Sequence, residues 1–126
     1  MRLLLDTHTL IWWLSDPGRL SRRAFGLVEV SDNDVLVSAA SAYEIEYKRS
    51  RSVEIGRVPA ELESTVVSNG FTWLALDSRH AVVAGRLPRL HGDPFDRLIA
   101  AQALVENLTL VTRDPAIRAY GAPVIW

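Results

Sequence analysis

The chain has 126 residues, enough for one domain with a substantial core, and its balance of 48% hydrophobic to 23% charged residues excludes a disordered polypeptide. It contains no cysteine, which excludes disulfides, zinc–thiolate sites and thiol nucleophiles. With a formal net charge of −1, any nucleic-acid binding must come from a local basic patch rather than from the whole molecule.

Leu3–Leu5 reads as a short buried strand. The apolar start is not a signal peptide, because Asp6 and His8 interrupt it and no small-residue cleavage site follows. No run approaches the roughly 18 apolar residues of a membrane span, so a cytoplasmic protein with no membrane partner is expected. His8–Leu14 predicts a helix stopped by the turn Asp16-Pro17-Gly18. Ser21 caps a second helix with apolar positions at Ala24, Leu27 and Val28, ending near Ser31-Asp32-Asn33-Asp34. Val35–Val37 is a second strand. Ser41-Ala42-Tyr43-Glu44 has capping-box spacing and predicts a helix running towards Lys48-Arg49. Pro59 begins another helix, with Leu62, Val66 and Val67 on one face and Asn69-Gly70 closing it. Phe71–Leu76 reads as a strand and Ser78–Leu87 as a helix. Asp93-Pro94 opens the strongest helix signal of the chain, through about Glu106. Leu108–Thr112 is a strand, Asp114-Pro115 starts a short helix, and Pro123–Trp126 closes with a last strand. Strands alternating with helices predict one α/β domain over residues 1–126, its parallel sheet covered on both faces.

Four acidic residues fall where strands pass into helices, or just inside a helix: Asp6, Glu44, Asp96 and Asp114. In a parallel sheet all four face one end, the end at which open α/β sheets place ligands. Carboxylates crowded together repel unless a divalent cation neutralises them, and an all-oxygen cluster suits Mg²⁺ or Mn²⁺. The pattern therefore points to metal-dependent phosphodiester chemistry. Each residue also has a local explanation. Asp6 and Asp114 can cap the helices that follow them. Glu44 can complete a capping box with Ser41. Asp93 occupies the N-cap before Pro94, which leaves Asp96 in a first turn where the macrodipole favours an acid.

Lys48, Arg49 and Arg51 follow the Glu44 helix, while Arg86, Arg89, His91 and Arg97 flank the Asp96 helix. Helix C-termini attract such cations in any case. As a group they bracket the acidic cluster and fit a phosphate-binding rim, with Lys48, Arg49, Arg86 and Arg97 as the candidate phosphate contacts. His8, His80 and His91 lack ligand spacing and read as packed or exposed. Thr112 is either strand filler or a hydrogen-bond partner for a metal-bound water. Trp12 and Trp13 are adjacent on one helix, so one ring is expected to seek a partner surface.

In order and spacing, Leu3-Leu4-Leu5-Asp6-Thr7, Ser41-Ala42-Tyr43-Glu44-Ile45 with Lys48 one turn on, Asp93-Pro94-Phe95-Asp96-Arg97-Leu98-Ile99-Ala100-Ala101-Gln102-Ala103 and Thr112-Arg113-Asp114 resemble PIN-domain nucleases. The similarity is to the branch that contains the VapC toxins of toxin–antitoxin pairs, and it is weakest between Ser50 and Asn69. It implies a three-layer α/β/α fold around a parallel sheet of four to five short strands. It implies that Asp6, Glu44, Asp96 and Asp114 hold one or two Mg²⁺ or Mn²⁺ ions and carry endoribonuclease activity that leaves a 5′-phosphate and a 3′-hydroxyl. A cognate antitoxin and a homodimer are the partners it implies, beside the RNA substrate. A structure-specific DNase using the same site, or an inert RNA-binding module, are the alternatives. A phosphotransfer receiver is disfavoured, because no Lys follows the strand Leu108–Thr112.

Overall fold

The computed structural model describes residues 1–90 and 93–126, so the reading of His91 lies outside the described residues. Five parallel strands form one sheet: β1 (Arg2–Leu5), β2 (Asp34–Ser38), β3 (Thr72–Leu74), β4 (Thr109–Val111) and β5 (Val124–Ile125), in the order β3-β2-β1-β4-β5. β1 lies in the centre, with Leu4 opposite Leu36 on one side and Leu110 on the other. The chain runs from β1 to β2 and β3 on one side and then crosses over to β4 and β5 on the other, so the strand order reverses beside β1 and opens a crevice at the C-terminal edge.

The helices are α1 (Thr7–Ser15), α2 (Arg22–Glu29), α3 (Ala39–Lys48), α4 (Val53–Gly56), α5 (Leu62–Ser68), α6 (Ser78–Arg86), α7 (Pro94–Glu106) and α8 (Pro115–Arg118). The uninterrupted apolar runs of β1 and β2 suit strands covered on both faces. Leu3 and Leu5 point into a core shared with Leu10, Ile11, Trp12, Ile45, Val66 and Phe71. Leu4, one residue out of phase, points to the opposite core with Ile99, Ala100, Ala103, Ile117 and Tyr120. The small residues of α7 let this helix lie close against the sheet. Asn107, in the left-handed conformation at φ 54°, ends it and turns the chain into β4.

Three sequence expectations are corrected. Helix α3 begins at Ala39, two residues before Ser41, and its cap is Ser38, whose hydroxyl accepts from the Ala40 N–H at 2.9 Å. The Ser41–Glu44 capping box is therefore not formed: Ser41 Oγ pairs with Thr7 Oγ1 at 2.9 Å, and Glu44 lies in the second turn. The helix expected from Pro59 starts at Leu62, and the short α4 before it had no clear sequence signal. Finally, both adjacent tryptophans find places within the chain. Trp12 packs on Trp126, with its indole N–H donated to Glu54, while Trp13 packs on Phe25 and Phe71 and donates to Asn69. The tryptophan argument for a partner surface is thereby removed.

A buried polar link pins the C-terminal end of the sheet. Ser38 Oγ donates to Gln102 Oε1, and Gln102 Nε2 donates to the Ala75 carbonyl at 3.3 Å. Both side chains are fully buried, so this link ties the end of β2 to α7 and to the segment after β3.

Candidate active site

At that end of the sheet lies a cleft of about 470 Å³, lined by Asp6, Thr7, His8, Trp12, Glu44, Lys48, Asp93, Asp96, Arg113, Asp114 and Pro115. Asp6 is the N-cap of α1 and accepts from the Thr7 N–H at 2.8 Å. Its second oxygen accepts from Thr112 Oγ1 at 2.8 Å, and the same hydroxyl accepts from the Asp114 N–H at 3.0 Å. Thr112 thus fixes the orientation of Asp6 and the start of the Asp114 turn together. Burial raises the Asp6 carboxyl pKa above its ordinary value, with the Glu44 charge adding to the effect; the bonds from Thr112 and Thr7 and the nearby His8 oppose it.

Glu44 is buried at the cleft wall and ion-paired with Lys48, Nζ to Oε2 at 2.6 Å. That bond raises the lysine pKa, and the fields of Glu44, Asp93 and Asp96 support it against partial burial. Asp93 caps α7, accepting from the N–H groups of Phe95 and Asp96 at 2.9 and 3.3 Å, while its side chain also lines the cleft. Asp114 caps α8, accepting from the Ala116 N–H at 2.9 Å.

Asp96 is the most perturbed of these groups. Its carboxyl is pushed up to about 8, first by burial and then by the charges of Asp6, Asp93, Asp114 and Glu44. Carboxylates from four different elements therefore share one electrostatic site. Among the described residues no three acidic or histidine side chains close into a ready-made cage; they stand on the walls of the cleft. The donor set is nevertheless the hard oxygen chemistry of Mg²⁺ or Mn²⁺, and the repulsion that holds Asp96 up is what a divalent cation relieves.

The basic residues divide. Lys48 reaches the cleft, and so does Arg113, which the sequence reading carried only as part of a motif; its guanidinium lies 5.9 Å from the Trp12 ring. Arg49 and Arg97 do not line it. Arg49 is held by Glu46 and by the carbonyls of Val58 and Pro59. Arg97 donates to the carbonyls of Ala84, Leu87 and Pro88, closing the C-terminal end of α6. Arg86 is exposed and away from the cleft lining. His80 is fully buried, with Nδ1 accepting from the Asp77 N–H in the cap of α6, and does not line the cleft. His8 stands at the cleft rim, where neither spacing nor composition singled it out.

Comparison with known proteins agrees with this geometry. The PIN domain family model matches residues 3–123. Ribonuclease VapC22 of Mycobacterium tuberculosis is 30% identical over 122 residues, covering 96% of this chain and 93% of that protein. Among solved structures, VapBC2 from Rickettsia felis bound to a fragment of its promoter DNA superimposes with a TM-score of 0.76 at 19% identity, over 99% of this chain and 98% of that one. DNA-bound VapBC from Salmonella typhimurium gives 0.73 at 22%, over 99% and 97%. A five-stranded parallel sheet between helical layers, the acidic cleft at its C-terminal edge and these matches together make the chain a member of the PIN-domain family, in its VapC branch.

Proposed function

We propose that this protein is a metal-dependent endoribonuclease, the toxin of a toxin–antitoxin pair, acting in the cytoplasm. The observation that carries this reading is the gathering of five carboxyl groups from four elements in one cleft at the C-terminal edge of the sheet. The 30% identity to a VapC ribonuclease supports RNA as the substrate. Asp6, Glu44 and Asp96, with Asp114 completing the set, hold one or two Mg²⁺ or Mn²⁺ ions. A divalent cation supplies Lewis acidity towards a phosphoryl oxygen and towards water.

The chain's own side chains do the rest. Thr112 and the Thr7 N–H keep Asp6 in a single orientation, so the charge it contributes is preorganised. Asp93 spends its carboxylate on the first N–H groups of α7 and so fixes the turn that carries Asp96. Lys48 and Arg113 face the scissile phosphate from the rim, and their charge draws a polyanion into a cleft that would otherwise repel it. Trp12, braced by Glu54 and flanked by the Arg113 guanidinium, gives the rim a rigid wall.

The test is cleavage of single-stranded RNA, structured RNA and DNA of matched sequence, in Mg²⁺, Mn²⁺ and EDTA. Cation-dependent cleavage of RNA alone is expected. Cleavage confined to DNA identifies a DNase, and binding without cleavage identifies an inert module. Two further expectations belong to the same reading: a small DNA-binding protein encoded beside this chain that copurifies with it and silences it, and a homodimer by light scattering.

A further inference from the structure

Two ladders of side chains run along α3, side by side. Glu44 and Lys48 form one, at the cleft wall. Tyr43 and Tyr47 form the other, each one residue earlier and so rotated by about 100° around the helix. These tyrosines stay 61% and 55% exposed and pack into neither core. Their rings stack with centroids 5.8 Å apart and 15° between the planes. Phe95, between the Asp93 cap and Asp96, extends the row, 5.8 Å from Tyr43. Cations stand at both ends: Lys48 Nζ is 5.6 Å from the Phe95 ring, and the Arg51 guanidinium is 5.5 Å from the Tyr47 ring.

An exposed aromatic row with a cation at each end matches a ligand that offers flat apolar faces and negative charge in alternation. Unpaired nucleotides have that character; a duplex does not, since its base faces are occupied by their neighbours. The row also leads to the acidic cleft, because Lys48 belongs to both and Phe95 precedes Asp96 directly. Resting on the reading of the cleft as an RNA-cleaving site, we propose that Tyr47, Tyr43 and Phe95 form a stacking track for the unpaired bases of single-stranded RNA beside the scissile phosphate, with Arg51 and Lys48 taking flanking phosphates. Bases slide onto the track by displacing Arg51 from the outer face of Tyr47 or by entering between the rings. Stacking reads the single-stranded state and tolerates base identity. Selectivity for unpaired RNA is then a property of α3 rather than of the carboxylates.

The experiment titrates the protein, in EDTA so that binding is separated from cleavage, into single-stranded RNA carrying 2-aminopurine at successive positions, and into the same RNA annealed as a duplex. Light scattering is run on the same samples. Wild type should change the fluorescence at a few adjacent positions of the single strand and bind the duplex more weakly. Tyr43→Leu and Tyr47→Leu, which keep apolar bulk but remove the ring, should each weaken single-strand binding by about tenfold or more and abolish the local fluorescence change. Tyr43→Phe and Tyr47→Phe should bind like wild type. Arg51→Ala should lower the slope of log affinity against log salt by about 0.7. Leucine variants that bind as tightly as wild type overturn the track. So does an affinity loss that appears only where the variants have dissociated from an oligomer, since the row is then a contact between copies of the chain. The two readings fail separately. Wild type that binds RNA but cleaves none in Mg²⁺ or Mn²⁺ sinks the reading of the cleft, whereas cleavage with unchanged affinity in the leucine variants sinks only the track.

Discussion

Replacing Asp96 by Asn removes the charge that the cleft tolerates least, and the consequence for stability is large enough to measure. The carboxyl is moved from its ordinary 3.8 to about 8 by burial and by four neighbouring acids. At ~1.36 kcal/mol for each tenfold change in proton affinity, that displacement is at face value about 6 kcal/mol. Asp96 is only half-buried, and screening by water and salt reduces the figure to about 2 kcal/mol. The sign follows from linkage. A carboxyl whose folded pKa lies above its unfolded one stabilises the fold fully below the unfolded pKa, and that contribution disappears as pH rises through 3.8 and then about 8. Asn does not titrate. Wild type and Asp96→Asn should therefore be similarly stable near pH 4 and diverge as pH rises, with the variant the more stable by about 2 kcal/mol above pH 8, or roughly 6–10 °C in Tm for a chain of this size. The assay is thermal melting followed by circular dichroism in EDTA across this pH range. Adding Mn²⁺ should then raise the melting temperature of wild type more than that of the variant, because the cation relieves the repulsion that Asn has already removed. A variant that melts below wild type in EDTA at pH 8, or a difference that does not change with pH, would refute the argument and make Asp96 a first-turn residue of α7 with only a structural role.

The other predictions concern neighbouring groups. Asp6→Asn and Asp96→Asn should each remove nearly all RNA cleavage, whereas Asp93→Asn should retain much of it, because Asn caps α7 equally well; equal losses of cleavage rate for Asp93→Asn and Asp96→Asn would overturn the division of Asp93 as cap and Asp96 as ligand. Thr112→Val withdraws the hydroxyl from Asp6, so the Asp6 carboxyl should rise further and the acidic limb of the pH–rate profile should move to higher pH, with Thr112→Ser restoring it. Ser38→Ala leaves the buried Gln102 carbonyl oxygen without its donor and should cost about 1–3 kcal/mol in a urea melt, with little change in metal dependence.

The sequence by itself determined the elements whose physics is local. Apolar runs too dense for one-sided burial marked β1 and β2 as strands covered on both faces, and the layered α/β/α arrangement followed from their alternation with helices. Asp-Pro pairs fixed the starts of α7 and α8, because a capping carboxylate followed by a residue without an N–H can begin a helix and do little else. Strand ends marked Asp6 and Asp114. Only the tertiary structure decided the features that depend on residues far apart in the chain. Ser41 fits a capping box by spacing, but Thr7, 34 positions away, takes its hydroxyl, and Ser38 caps the helix one turn earlier. Arg49 and Arg97 resemble phosphate ligands until the carbonyls around them are seen to use their donors, while Arg113 gains its place from the turn after β4. Trp12 and Trp13 share a helix, yet a step of about 100° aims the rings at different neighbours, Trp126 and Phe71, that no local pattern could supply. The raised pKa of Asp96 is of the same kind: it comes first from burial and then from charges brought by α1, α3, α7 and α8, and both exist only once the sheet has gathered these elements at one edge.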